Sequence, residues 1–573
     1  MNSVSNRLLV IGLDGATFDL MQPWAAAGEL PNLQRLMNEG SWGPLRSVVH
    51  PFTAQAWTSM VTGCQQGKHR VFDFWERDFS TYGFRLLNAS HRALPAIWNL
   101  LSAAGKDVII VNLPQTYPPE PVQGVMVSGR DTPGLGAAYT YPPGLKSELD
   151  GVSGTPYVIV PDDWLWMQRG RPDRARAELL REIDVRFDAA QQLMDTRPWD
   201  LTFFVVSATD GAAHFFWKYH DPSHPLYDPV EAERYGDTIL EVYRRCDQRI
   251  GELLAWLEKT QNCNVLVVSD HGQGQLGPQA IHLNLWLAEQ GLLNFHNRAS
   301  DRSLGERATT LASRAVQRGK RSLYGRIRFQ TLTKLRRLWP DSLRTRLGAE
   351  AFFPDVDWGQ TRAFSEELRG NIWINLKGRD PQGVVEPGAE YEALRDQIIA
   401  TLPKLADPVT GNRPIRHVWR REELYSGRYL ERLPDLVVEA DYPDMFKPHG
   451  AYHGHAAVRN LSAEEMRQRA ITGCHRMNGV FIAWGPDVQP GSLVADAALI
   501  DVAPTVLHML GQPAPQEMDG RVLAEALRSD SLGQMRTTTL AELGFDGPGA
   551  EVGFSDEEAE YVRERLAGLG YLG

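Results

Sequence analysis

VLVVSDHGQG, residues Val265 to Gly274, is the stretch on which the fold turns. Val265, Leu266, Val267 and Val268 form an unbroken apolar run, the pattern of a strand buried on both faces of a parallel sheet. Asp270 and His271 follow at once, so a buried strand ends in two side chains able to bind metal. In open α/β sheets ligands bind beyond the carboxyl ends of the strands. An acid beside a histidine also serves to cap a helix or hold a turn, so the rest of the chain has to decide.

The same arrangement occurs twice more. Arg7 to Leu13 reads as a first strand and delivers Asp14. Leu201 to Val206 reads as another and is followed by SATDGAAH; if the chain turns helical there, Asp210 and His214 fall on one face and can share one ion. His475 lies just before GVFIAW, Gly479 to Trp484, a strand returning to the sheet, and is a further ligand candidate. Leu45 to Val49 is expected to be a strand leading into a helix, which puts Thr53 at a strand-to-helix junction where backbone N–H groups and the helix dipole favour an anion. A threonine hydroxyl there caps the helix or attacks phosphorus. It is a poor nucleophile until a base or metal activates it, so the second role needs a metal nearby.

Further strands are expected at Asp107 to Asn112 and Gly124 to Val127, with helices at Ile97 to Ala104, Pro172 to Met194, Arg234 to Lys259, Leu499 to Leu510 and Asp556 to Leu569. This alternation predicts an α/β fold, a large and mostly parallel sheet sandwiched between helices. We expect residues 1–296 and 461–573 to form the core and residues 297–460 an inserted cap that partly returns to it. The basic run from Arg314 to Arg346 reads as a solvated face, with an anionic surface or substrate as the alternative. His449, His453 and His455 share a glycine-rich loop, but their spacing fits no single metal site well.

Length and composition describe an ordinary soluble protein. The 573 residues are 43% hydrophobic and 23% charged, enough for a sizeable core. A net charge of -11 argues against a nucleic-acid polymer as partner. Cys64, Cys246, Cys263 and Cys474 form no CxxC pair, which points to a reducing, cytoplasmic home, and no apolar run is long enough for an export signal or a membrane span. The oligomeric state is not legible.

Asp14, Thr53, Asp210, His214, Asp270, His271 and His475 suit a two-metal site in number and type, and two ions can stabilise both attacking and leaving oxygens at phosphorus. LDG at 13–15, PFTAQAWTSMVTG at 51–63, DGAAH at 210–214, SDHG at 269–272, HRMNGVFIAWGP at 475–486 and DVAPTVLHMLG at 501–511 together resemble the type I phosphodiesterase/nucleotide pyrophosphatase family of the alkaline phosphatase superfamily. The resemblance implies a metal-dependent hydrolase cleaving a phosphodiester or pyrophosphate bond in a small phosphorylated substrate. Thr53 would be the nucleophile and carry a covalent phosphoryl or nucleotidyl group. Asp14, Thr53, Asp270 and His271 would hold one divalent ion and Asp210, His214 and His475 the other, with Zn2+ the family's usual metal and Mn2+ or another divalent ion the alternative.

One departure bears on the substrate. Nucleotide pyrophosphatases of this family place an asparagine some twenty residues after the nucleophile to bind phosphoryl oxygens, whereas GKHRVFDF at 67–74 offers Asp73. An acid there repels phosphate unless metal, or Lys68 and Arg70, offset it. The readings that compete with a diesterase are a phosphomutase, phosphomonoesterase or phosphotransferase of the same superfamily and, from another class, a non-catalytic binding protein on the same fold.

Overall fold

Leu8–Leu13 (β1) lies at the middle of a large sheet, and every residue in it is buried. In this computed structural model the description covers residues 7–568, apart from Leu135, 153–156, 261–262, 297–352, 354–355, Leu368, 448–455, Ala470, Asp546 and Pro548. The basic run from Arg314 to Arg346 and the histidines His449, His453 and His455 lie outside the described residues.

In chain order the elements that build the centre are β1, Ser41–Arg46 (β2), Thr53–Thr62 (α1), Val108–Val111 (β3), Gly124–Val127 (β4), Pro172–Thr196 (α2), Leu201–Val206 (β5), Ala208–His220 (α3), Thr238–Thr260 (α4), Asn264–Val268 (β6) and Asn478–Trp484 (β7). Across the sheet the order is β2, β7, β6, β1, β5, β3, β4, with the short pieces Ser492–Leu493 and Thr140–Tyr141 at the two ends. β6, β1, β5, β3 and β4 run parallel, whereas β7 runs against both β6 and β2. The sheet is mixed and mostly parallel.

Alternation along β1 explains the layers. Leu9, Ile11 and Leu13 face a core shared with Leu179, Ile183 and Phe187 of α2, Phe215 of α3, and Ile239, Val242 and Ile250 of α4. Leu8 and Val10 face the opposite core, with Trp57 and Met60 of α1, Trp98, Val502 and Val506. Successive side chains of a strand point to opposite faces, so a strand apolar at every position demands helices on both sides. Each aliphatic side chain so buried contributes about 1.5–3 kcal/mol. No described helix is long and apolar enough to cross a membrane.

The strand expected at Leu45 to Val49 lies instead at Ser41–Arg46. Gly43 and Pro44 look like strand breakers, but Gly43 packs against the Val494 carbonyl, where a Cβ would come within 1.9 Å, and Pro44 sits opposite Val480 of β7. The helix expected from Arg234 to Lys259 is broken near Gly236 into Pro229–Tyr235 and α4.

Between β6 and β7 in sequence, a four-stranded antiparallel sheet runs in the order Ala363–Phe364, Asn371–Ile374, Leu436–Ala440, Ile415–Arg420. With the helix Ala389–Thr401 it has its own core, including Ile372, Ile374, Leu394, Ile398, Leu436 and Val438. Arg77, from a hairpin at Trp75–Arg77 and Phe84–Leu86, ties it to the main body. Its Nη2 lies 2.6 Å from Asp380 Oδ1, both side chains fully buried, and its guanidinium lies 4.7 Å from the Phe364 ring centre and 4.9 Å from that of Trp373.

Candidate active site

Strand register sets the site. Gly12 stands opposite both Val205 and Val268, and Leu13 opposite Val206, so β5, β1 and β6 end at one level. Asp14 is the first residue past β1, Asp270 lies two beyond Val268, and Asp210 sits in the first turn of α3, which follows β5. Gly15 makes this convergence possible: its φ is +67, and a Cβ there would lie 3.2 Å from Asp210 Oδ1 and 3.0 Å from Gln273 Cγ. His475 comes from the other flank, on Gly473–Arg476, which pairs antiparallel with Gly272–Gln275 so that His475 stands opposite Gln273.

Two groups of ligand atoms result, one from Asp14, Asp270 and His271 and one from Asp210, His271 and His475, each with its atoms within 4.8 Å of one another. His271 belongs to both. Its Nε2 lies 3.3 Å from Asp270 Oδ2 and 3.6 Å from Asp14 Oδ1. His214 Nε2 lies 3.1 Å from Asp210 Oδ1, as one helical turn allows, and its ring centre is 4.8 Å from that of His475. All of these side chains are buried.

Each histidine is steered through its other nitrogen. Nδ1 of His214 faces the Gly473 carbonyl at 3.1 Å, that of His271 the Gly272 carbonyl at 3.0 Å, and that of His475 Asp444 Oδ2 at 3.1 Å. A proton on each Nδ1 donates to these oxygens and leaves Nε2 with a lone pair turned into the cluster, the arrangement typical of metal-ligating histidines.

Electrostatics point the same way. Burial, with the Asp210 charge, raises the Asp14 carboxyl to about 7, and burial together with Asp14 and Asp210 lifts Asp270 well above the carboxylate range. Burial opposes charging Asp210, yet His214 and Arg130 hold it well below that range, Arg130 through Nη1 at 3.3 Å from Oδ2. The same Asp210 charge overcomes burial at His214 and raises it to about 9, so a cation beside Asp210 would compete with a proton on His214 Nε2, while burial and the neighbouring His475 hold His271 well below the imidazole range. Both Asp14 oxygens, Asp270 Oδ2 and His271 Nε2 are buried with no hydrogen-bond partner among the described residues. Buried atoms of this kind cost free energy unless satisfied, and carboxylates crowded together call for positive charge between them. Oxygen and imidazole nitrogen are a donor set that borderline divalent ions accept.

Thr53 is the first residue of α1 and is fully buried. Trp57 in the same helix packs on β1, where a Cβ on Gly12 would strike its ring at 2.6 Å. Phe52, just before Thr53, meets the His475 ring edge-on with centres 5.1 Å apart. The helix start is thus seated against the histidine cluster.

The expected charge partners of Asp73 are elsewhere. Lys68 Nζ bonds Asp519 and the Glu517 carbonyl, and Arg70 pairs with Glu76 and Glu551. Asp73 is met by Arg369 of the inserted region, whose Nε donates to Oδ2 at 2.8 Å. Arg369, Asp444, Arg130 and Gln273, which donates to Asp210 Oδ1 at 2.7 Å, escape sequence reasoning. Only Gln273 carries a readable signal, lying two residues past His271 in the SDHGQG run.

The family model described as Type I phosphodiesterase / nucleotide pyrophosphatase matches residues 8–447. The chain belongs to this family. As a member of the type I phosphodiesterases it is a phosphoric ester hydrolase of the alkaline phosphatase superfamily, a group that works with divalent metal ions. No curated protein sequence matches it. Among solved structures it is similar to human ectonucleotide pyrophosphatase / phosphodiesterase 5, at 13% identity and TM-score 0.47 over 91% of this chain and 100% of that one. The murine counterpart in complex with AMP is 12% identical, with TM-score 0.43 over 88% and 95%. Phosphonoacetate hydrolase from Sinorhizobium meliloti 1021, in complex with phosphonoacetate, is 14% identical, with TM-score 0.51 over 89% and 96%, a likeness of fold.

Proposed function

We propose that the protein hydrolyses a phosphodiester or pyrophosphate bond in a small phosphorylated molecule, with Thr53 as nucleophile and two divalent ions, Zn2+ by the nature of the ligands, in the cluster. The observation that carries this reading is the pair of abutting ligand groups that share His271, with buried oxygens of Asp14 and Asp270 unsatisfied. Asp14, Thr53, Asp270 and His271 would hold one ion and Asp210, His214 and His475 the other. When bound, the ions supply a Lewis acid for phosphoryl oxygens and make a hydroxyl proton easier to lose.

The residues themselves supply position. Thr53 at the start of α1 offers its oxygen at the positive end of a ten-residue helix, where a phosphoryl anion is favoured. Its oxygen forms a bond to phosphorus as the leaving oxygen departs, and water then frees the threonine. Residues 297–460 act as the cap that chooses the substrate. Four free, buried thiols fit a cytoplasmic home.

The test is turnover of bis-p-nitrophenyl phosphate and p-nitrophenyl phosphate by the purified protein, with and without chelator, beside Thr53→Ala. Loss of turnover in the variant with metal content retained supports the reading. Turnover that survives both the chelator and Thr53→Ala removes the metals and the threonine from the reaction.

A further inference from the structure

Gln273 is fully buried and reaches two candidate ligand atoms at once. Its Nε2 donates to Asp210 Oδ1 at 2.7 Å and stands 3.3 Å from His214 Nε2, and those two atoms are themselves 3.1 Å apart. Two features hold the side chain there. In the antiparallel pair it stands directly opposite His475, so both side chains leave the ribbon on one face. Gly15 lets it come close, since a Cβ on Gly15 would lie 3.0 Å from Gln273 Cγ. The other end of the amide, Oε1, is buried with no hydrogen-bond partner among the described residues.

We propose that Gln273 is a further metal ligand: with an ion on the Asp210 side of the cluster, its amide turns over and Oε1 joins Asp210 Oδ1 and His214 Nε2 around that ion. The proposal rests on the two-ion reading given above and adds one neutral oxygen to its ligand set.

A side-chain amide has a donor end and an acceptor end of nearly one size, so a half-turn about χ3 exchanges them and disturbs little else. With Nε2 inward, the amide gives its protons to lone pairs of Asp210 and His214 and strands Oε1 in the interior, which costs free energy. With Oε1 inward, three acceptors converge, because the Nδ1 of His214 faces the Gly473 carbonyl and its Nε2 carries a lone pair. Such a meeting is unfavourable until a cation lies among them. The ion therefore reverses the balance between the two orientations. Atoms that share one ion at about 2.0–2.2 Å stand roughly 3.0–3.5 Å apart, close to the 2.7–3.3 Å seen among these three. The neutrality of the amide matters as well. Asp14, Asp210 and Asp270 already bring three carboxylates to the cluster, and an amide oxygen extends the shell without adding a fourth negative charge.

The test is titration of Zn2+ and of Mn2+ into the full-length protein against a competing chelator, the parent beside Gln273→Leu and Gln273→Glu. A carbonyl oxygen matters more to Mn2+ than to Zn2+, which imidazole suits. Gln273→Leu is expected to lower Mn2+ affinity by about tenfold or more, on the scale of even an outer partner of a ligand, and Zn2+ affinity by less. Gln273→Glu keeps an oxygen at the same place and is expected to hold Mn2+ at least as tightly as the parent. Tighter binding of both ions by Gln273→Leu would mean that the amide only caps the two atoms and competes with the ion. Equal weakening of both would mean that it only props Asp210. Either result overturns the proposal, and so does weaker Mn2+ binding by Gln273→Glu, which carries the test alone if the leucine variant does not fold. A parent that takes up neither ion overturns the two-ion reading too, whereas a parent that binds both, with affinities indifferent to either substitution, leaves that reading standing and removes only this proposal.

Discussion

Asp444 accepts from both the backbone N–H and the Nδ1 of His475, each at 3.1 Å. An acid from the inserted region therefore aims a histidine of the main body. Asp444→Asn keeps the shape but removes the charge that fixes the ring. Metal affinity should fall by about 10–100-fold, the usual cost of losing a partner behind a metal-bound histidine. Metal titration against a competing chelator checks this, with thermal stability of the metal-free protein as the control.

Gly15 offers a second probe of the cluster. Alanine at φ +67 is strained, and its methyl would press on Asp210 Oδ1 and Gln273. We expect Gly15→Ala to destabilise the protein by about 1–2 kcal/mol and to lower metal content, measured by elemental analysis, although no candidate ligand is replaced.

The Arg77–Asp380 pair tests how firmly the inserted unit is fastened. Asp380→Asn leaves a buried guanidinium without its counter-charge and should cost about 3–5 kcal/mol. The loss is read as a lower unfolding midpoint in urea. A variant that unfolds like the parent would show that the four surrounding rings suffice.

Glu366 predicts a dependence on pH. Burial raises its carboxyl to about 7, against the bonds it accepts from Asn371 Nδ2 and Trp373 Nε1. A folded-state pKa above the unfolded one means that the folded protein binds the proton more tightly, so this contribution to stability is present at low pH and lost as pH rises through about 7. Melting temperature should therefore fall more between pH 5 and pH 8 in the parent than in Glu366→Gln. Parallel curves for the two proteins would contradict the assignment.

The sheet and the meeting of acids and histidines at its strand ends were legible because they are written in short, local patterns. Asp14, Asp210 and Asp270 each follow a strand so apolar that its burial on both faces leaves little choice, and the level at which those strands end then brings the acids together. β2 was misplaced because Gly43 and Pro44 carry turn chemistry while serving a close backbone contact. Arg369 and Asp444 could not be read at all. Their partners are 296 and 31 residues away, and nothing in SEELRG or DYPDMF marks a side chain that folding will carry to the site. Lys68 and Arg70 were natural choices for Asp73 by proximity in sequence, yet acids at 519, 76 and 551 claim them first.

The carboxylate at 444 has an implication for how such an enzyme can diversify. Exchanging residues 360–447 for the corresponding piece of a relative would look like a change of selectivity alone, since Asp14, His214 and Asp270 stay behind. It would also remove the anchor of His475. A successful chimera must bring its own anion to that spot, so on the proposed reading one exchanged piece would carry both substrate choice and the setting of His475.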